Sequence, residues 1–570
     1  MRKLFLSFFL LTCLLSFNCN TNSSGILYNI QKSALSTNGM VVTAHPLATQ
    51  VGVEILKQGG NAADAAIAVQ LALAVVYPRA GNLGGGGFMV YRDREGEVST
   101  LDFRERAPGT SHRNMYLDNK GEVVPGLSNN GILASGIPGT VAGLIATHEK
   151  LGKLQPWSSL VQPAIELAEK GFRITESEAQ RLNSFQKVFS EFNPSNMPFL
   201  KKKAWQQGDK LVQKDLASTL RLIAEKGLEG FYSGTNADAL VSLSKEKNGI
   251  ISKEDLESYQ PVWRPPFSLQ WRDYKIYTMG LPSSGGIIMG QILKMIDDKV
   301  IDSLGNRDPY NVHLIVEAER RAFADRSVYL GDADYVRVPV DSLLQQSYLE
   351  NRFKSFHPLI ASKSIAPDST IIHSKKESFE TTHFSIVDSD GNAIAVTTTL
   401  NDNYGSKVWV PGGGYFLNNE MDDFSIKPGV PNMFGLIGSE ANSIAPGKRM
   451  LSSMTPTIVE KNGNLWLVLG SPGGPTIITS VLQVFLNVAV FDIDINLAVQ
   501  QGRYHHQWLP DEIIYEKNTF SSGLINELTA MGHPLRSIEA LGLIEAILID
   551  GQGPLHGVAD QRGDDHAAGW

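Results

Sequence analysis

Residues 360–380 are polar, rich in Ser and Lys and without periodicity, the pattern of an exposed linker. A hairpin follows at once. Residues 382–387 read as one strand, Asp388-Ser389-Asp390-Gly391 as the turn, and residues 392–400 as the return strand. A linker that stops where a buried strand begins constrains the chain strongly. Cleavage at that junction would leave Thr381 as a new N-terminus, already seated at the start of a sheet.

The remaining patterns alternate between helix and strand. Residues 39–44 read as a first strand that Pro46 breaks off. Residues 48–58 and 61–76 read as helices, with Gly59-Gly60 ending the first and Asn61 capping the second. The second is Ala-rich nearly all round, which suits a helix packed inside a layer. Strands are expected over 88–92 and 98–103, mostly helix over 139–260, and an amphipathic helix over 311–329. Two further strands, 455–460 and 465–469, precede Ser471-Pro472-Gly473-Gly474 and a helix over 476–490. No internal repeat is visible.

At 570 residues and 42% hydrophobic content the chain can bury a large core. Net charge is −8 with no long basic run, which excludes nucleic acid as an expected partner, because phosphate binding needs clustered Lys and Arg. Arg2 and Lys3 followed by an apolar run over 4–17 read as an export signal, since that run is shorter than the ~20 residues a membrane span requires. Residues 1–19 are therefore read as signal and 20–37 as a flexible polar leader. Both cysteines, Cys13 and Cys19, fall in this region, so a disulfide framework is not expected in the body. Leu15-Ser16-Phe17-Asn18-Cys19 loosely resembles a lipoprotein cleavage site, with Phe17 and Asn18 poor matches. Lipid on Cys19 and plain secretion both stay open, as do periplasmic, secreted and membrane-anchored locations.

Several common chemistries lack their residues. No G-x-S-x-G elbow, P-loop, G-x-G-x-x-G fingerprint or H-E-x-x-H motif is present. Within the glycine run over 81–87, residues 84–87 lack the flanks of a nucleotide site and read as a tight buried loop beneath other backbone, in preference to a loop touching a ligand. His505-His506 are adjacent strand residues facing opposite sides, so no metal is expected there, and no cofactor is called for. Asp422-Asp423 reads as a solvated turn unless something else marks it. Thr381-Thr382-His383-Phe384-Ser385 is ordinary strand composition, singled out only by its position after the linker.

Over residues 39–570 the chain resembles the γ-glutamyltransferase family. The resemblance is carried by the glycine run, Asp102-Phe103-Arg104-Glu105, Thr381-Thr382-His383-Phe384-Ser385 and Thr397-Thr398-Thr399-Leu400-Asn401. It continues in Asn418-Asn419-Glu420-Met421-Asp422-Asp423-Phe424, Leu451-Ser452-Ser453-Met454 and Gly470-Ser471-Pro472-Gly473-Gly474. It implies an α+β fold, the four-layer αββα sandwich of the N-terminal-nucleophile hydrolases. It also implies self-cleavage at Glu380-Thr381 into a large chain (38–380) and a small one (381–570) that remain together in one intertwined domain. Thr381 would be the nucleophile and its freed α-amine the base; Thr399 would orient it, and the Gly473 and Gly474 amides would hold the oxyanion. Arg104, Ser452 and Ser453 would bind the α-carboxylate of a γ-glutamyl donor, and Asn401, Glu420 and Asp423 its α-ammonium. Residues 428–438 align with a lid loop in which Phe434 replaces the usual tyrosine. The implied reaction moves the γ-glutamyl group of glutathione and similar compounds to water or to an amino acid or peptide amine. A cephalosporin or glutaryl acylase with the same kind of nucleophile, and an inactive surface binding protein on this fold, are the alternatives.

Overall fold

Alternation along the hairpin sorts its side chains between two cores. In the computed structural model, which describes residues 27–365, 381–551 and 553–570, Ile386, Ile394 and Val396 join a core built with helices. Their neighbours Val387, Ala393 and Ala395 join a core shared with a second sheet, as a period of two requires. The signal over 1–19 with Cys19, and Glu380, lie outside the described residues.

Fourteen strands make two seven-stranded sheets: β1 (Ser33–Ser36), β2 (Met40–Thr43), β3 (Gly86–Arg92), β4 (Val98–Asp102), β5 (Val262–Arg264), β6 (Phe267–Trp271), β7 (Tyr274–Thr278), β8 (Thr381–Val387), β9 (Ala393–Thr399), β10 (Thr457–Lys461), β11 (Asn464–Gly470), β12 (Glu545–Ile549), β13 (Leu555–Ala559) and β14 (His566–Gly569). One sheet runs β14-β2-β8-β9-β3-β4-β5 and the other β1-β13-β12-β11-β10-β7-β6. Helices α1 (Pro46–Lys57) and α2 (Ala62–Val76), with those between 140 and 257, cover the outer face of the first sheet. Helices α3 (Gly285–Ile296), α4 (Pro309–Tyr329) and α5 (Thr476–Ala489) cover the outer face of the second. Val42, Val90 and Ala395 meet Ile458, Val468 and Ile547 between the sheets. This is the expected αββα sandwich.

Local chemistry explains the elements that carry the site. Asn61 caps α2 through a reciprocal box with Asp64, and the Asp64 carboxylate also accepts from the Lys153 and Leu154 amides. Every residue of α2 is buried, so its alanines serve close approach to α1 and the first sheet. Pro46 does more than stop β2: it opens α1 at a position where a missing N–H costs nothing. Each fully buried Ile or Val in β8 and β9 contributes roughly 1.5–3 kcal/mol. A one-residue slip would exchange the two cores, so the register that sets Thr381 opposite Thr399 is firmly fixed.

Two stretches differ from expectation. The flexible leader read over 20–37 does not extend to its end, because β1 pairs with β13, Ser33 opposite Val558. Ala34 and Ser36 are buried while Leu35 is exposed, an alternation too short and too polar to stand out. The linker is also partly fixed: the Ser362 amide donates to Glu317 Oε1 at 3.0 Å and the Ser364 amide to Asp511 Oδ2 at 2.9 Å. Composition does not distinguish polar residues held by buried charges from polar residues held by water.

Candidate active site

Thr381 begins β8 in the middle of its sheet, between β2 and β9. Its Oγ1 lies 3.2 Å from Thr399 Oγ1, and the Asn401 amide donates to that same Thr399 oxygen at 2.8 Å. Thr399 is held from behind by the glycine run. A Cβ on Gly85 would lie 2.0 Å from Thr399 O, so only glycine permits this approach. Asn82 Nδ2 also donates to Thr399 O at 2.9 Å. The run is thus the tight buried loop its composition suggested, and it supports Thr399 opposite Thr381 from below.

Thr381, Thr399, Asn401, Arg104, Asp423, Ser452, Ser453, Gly474 and Phe434 line one small cavity. Its open volume of about 20 Å³ is room for a single water, so a larger guest requires the covering loop to move. That cover is Phe434, against whose ring a Cβ on Gly474 would sit at 3.1 Å. Phe434, which carries no hydroxyl, thus lines the cavity where the resemblance implies a lid. Asp422 ties the same loop down, accepting from the Met433 amide at 2.9 Å and from Ser128 Oγ at 2.7 Å. Asp422 is buried and Asp423 faces the cavity, so the adjacent acids divide between loop and cavity and are not a solvated turn.

Gly473 and Gly474 lie between β11 and α5 with φ of +128° and +55°. Their carbonyls accept from the Thr476 and Ile477 amides, while their own N–H groups donate to no backbone partner among the described residues. Free amides at a helix start suit a developing negative charge. Gly474 borders the cavity, whereas Gly473 does not line it.

The opposite wall is charged. Arg104 is fully buried, with Nη1 2.8 Å from Glu420 Oε2 and Nη2 2.5 Å from Asp423 Oδ2, and Glu105 Oε2 stands 3.9 Å from Nη1. Burial is the main cause that pushes the Glu105 and Glu420 carboxyls up, opposed by the Arg104 charge. Glu420, nearer the guanidinium, is the better placed of the two to be ionised. Glu420 reaches the cavity only through Arg104 and is not among its lining residues. Ser452 and Ser453 stand beside Arg104 on this wall. The Met454 amide donates to Ser452 Oγ at 3.1 Å.

No histidine lines this cavity. His383, two residues from Thr381, is buried between Thr397 and Ser385 and lowered by desolvation to about 3. It is neutral, and both its ring nitrogens are engaged by Thr397 and Ser385 and not by Thr381. His505 bonds Thr479 while His506 faces Asp511, so the pair diverges as expected. His313, Glu317 and His533 do come together. Their facing atoms are already engaged, His313 Nδ1 to His533 Nε2 at 2.7 Å and Glu317 to Arg320, Arg321 and Ser362, which leaves only His533 Nδ1 without a partner among the described residues. Two guanidiniums on the one carboxylate oppose a cation there. Among the described residues no helix is long and apolar enough to cross a membrane.

Five lining residues had no role in the sequence reading: Arg326, Leu436, Met454, Pro475 and Ile477. Arg326 sits on α4 with the spacing of any amphipathic helix, and no local motif marks it.

A family model described as Gamma-glutamyltranspeptidase matches residues 48–570. A glutathione hydrolase proenzyme of Escherichia coli is 44% identical over 554 residues, covering 96% of this chain and 94% of that one. One from Pseudomonas aeruginosa is 45% identical over 538 residues, covering 93% and 94%. Among solved structures, a cephalosporin acylase from Bacillus halodurans superposes with a TM-score of 0.82 at 25% identity, covering 96% of this chain and 98% of that one. The Helicobacter pylori gamma-glutamyltranspeptidase matches at a TM-score of 0.55 and 45% identity, covering 59% of this chain and 95% of that chain.

Proposed function

The chain belongs to the gamma-glutamyltranspeptidase family, and from that premise we propose that it is a precursor cut at Glu380-Thr381 which then transfers γ-glutamyl groups through Thr381. The observation that carries this reading is one cavity with the Thr381–Thr399 hydroxyl pair at one end and the Arg104–Asp423 pair at the other.

A threonine hydroxyl is a weak nucleophile and needs a base. In the uncut chain Thr381 N is an amide and cannot serve. Cleavage turns it into an α-amine with an ordinary pKa of about 7.7–8.0, suited to accept the hydroxyl proton near neutral pH. The buried neutral His383 offers no competing route. Attack of Oγ1 on the γ-carbonyl moves charge to the carbonyl oxygen, which the free Gly473 and Gly474 amides stabilise; loss of one such donor typically costs about 10²–10³ in kcat. The protonated amine then gives its proton to the departing amine. An acyl-enzyme on Thr381 remains, which water or an incoming amine resolves with the same base.

Arg104 with Ser452 and Ser453 binds the donor's α-carboxylate, and Asp423 with Asn401 its α-ammonium. Glu420 acts one step back, by holding Arg104. Glutathione, named in the description of the Escherichia coli relative, has such a γ-glutamyl end. A glutaryl amide carries no α-ammonium, so Asp423 at the cavity favours the γ-glutamyl reading over a glutaryl acylase. The large (38–380) and small (381–570) chains form a heterodimer, and the protein is exported through the signal over 1–19. Mass spectrometry of the mature N-terminus tells a lipid on Cys19 from plain cleavage.

The test is a denaturing gel and a γ-glutamyl anilide assay of wild type and Thr381→Ala. Wild type should give two chains and turnover, Thr381→Ala one chain and none. Processing or turnover by Thr381→Ala removes Thr381 as the nucleophile. An uncut, inert wild type would instead support the binding-protein alternative.

A further inference from the structure

Arg326 stands in the last turn of α4, buried, on the wall of the cavity beside Arg104 and Ser453. Its Nε donates to Ser284 Oγ at 3.0 Å and its Nη2 to Ser453 Oγ at 3.3 Å. Among the described residues Nη1 has no hydrogen-bond partner, and no carboxylate lies within ion-pairing distance of the guanidinium. Several other buried arginines are matched, Arg92 to Glu460, Arg503 to Asp560 and Arg321 to Glu317, while the Arg79 guanidinium, away from the cavity, bonds only the Tyr77 hydroxyl among the described residues. A buried cation without a partner is costly. The C-terminal end of α4 offsets part of that cost, and a cost retained on a cavity wall points to an anion as guest. Burial lowers this guanidinium to about 10, with Asp423 opposing the shift, so it stays charged at neutral pH.

The hydrogen bonds give the cation a definite effect. Guanidinium can only donate, so Ser453 Oγ must accept from it, and the Ser453 hydroxyl hydrogen is left to point elsewhere. Ser284 Oγ likewise accepts from Arg326 and passes its own hydrogen to Ser452 O at 2.7 Å, a carbonyl that also receives the Ser284 amide at 2.8 Å. The Ser452 hydroxyl accepts from the Met454 amide, which leaves its hydrogen uncommitted too. Two hydroxyl donors thus remain on a wall that already carries Arg104, and a carboxylate, which only accepts, complements them.

We infer that Arg326 is a positioning residue for the donor's α-carboxylate, acting through the hydroxyl of Ser453 and the backbone of Ser452. This rests on reading the cavity as the seat of a γ-glutamyl end, so the test separates the two. Processed wild type, Arg326→Gln and Arg326→Lys are assayed with γ-glutamyl-p-nitroanilide and with its α-carboxyl methyl ester. Wild type should strongly prefer the free acid. Arg326→Gln should lose about 10- to 100-fold in kcat/KM on the acid, the loss of one charge-assisted hydrogen bond. That loss should appear in KM, with about twofold or less on the ester. Arg326→Lys should recover part of the preference. Equal losses on acid and ester, or an unchanged acid-to-ester ratio, overturn the inference. If Arg326→Gln does not mature, the ratio in Arg326→Lys decides by the same rule. A wild type that turns over both donors equally overturns the cavity reading, and this inference with it.

Discussion

Three carboxyls surround the Arg104 guanidinium, of which only Asp423 lines the cavity, and their competition sets what the site can accept. Glu420 and Asp423 both pair with Arg104, while burial raises the Glu105 carboxyl. A zwitterionic guest replaces the Arg104–Asp423 pair with two new ones, whereas a guest carrying a single charge strands one partner. Asp423→Asn should therefore raise KM for a γ-glutamyl anilide by about 10-fold or more, the scale of a hydrogen bond to a charged group, and leave the cut before Thr381 intact. Steady-state kinetics on the processed variant checks this. The pH profile follows from two signs. As the proposed base, the Thr381 amine would act unprotonated, so kcat should rise through about pH 7.7–8.0, with no histidine limb because His383 stays neutral. Carboxyls whose pKa is raised are neutral below it and ionised above it. Ionisation of Glu105 on the alkaline side adds a negative charge beside Arg104, so KM should climb there, and Glu105→Gln should flatten the climb. A KM independent of pH in both proteins would remove Glu105 from the account.

Elements hold these residues in place, and loops carry the tightest constraints. Gly85→Ala drives a methyl into Thr399 O, an overpacking that costs roughly 1–3 kcal/mol or more. It should lower the thermal midpoint and block processing by displacing Thr399. Asp422→Ala removes the acceptor for the Met433 amide and Ser128. The cover over the cavity should then be cut faster by protease within 428–438, with KM raised and two chains still formed on a gel. The hairpin, α2 with its Asn61 cap and the glycine run were legible because each rests on local pattern. Strands such as β5 and β14 were not, because three or four residues cannot display a period. Nor was Arg326, whose role depends on α4 meeting the Ser452 segment across more than a hundred residues of chain. The fate of Ser362 and Ser364 was hidden for the same reason, since Glu317 and Asp511, which hold them, are distant in sequence.

At the scale of the whole molecule, the junction before Thr381 divides a chain whose two parts cannot be separated in space. β8 and β9 of the small part lie between β2 and β3 of the large part, and β10 and β11 continue the sheet of β6 and β7. A cut molecule should therefore elute as one species and part only in denaturant. The resemblance carried by short motifs points to Thr381 as the nucleophile, because catalysis of that kind would depend on a few residues next to a chain end. The central claim is that this end is Thr381 and that it carries the acyl group. Its most direct test is mass spectrometry of the denatured protein, before and after brief exposure to a γ-glutamyl donor. The account predicts a small chain spanning 381–570 that gains one glutamyl group on Thr381. A small chain starting elsewhere, or the acyl group on another residue, would contradict it.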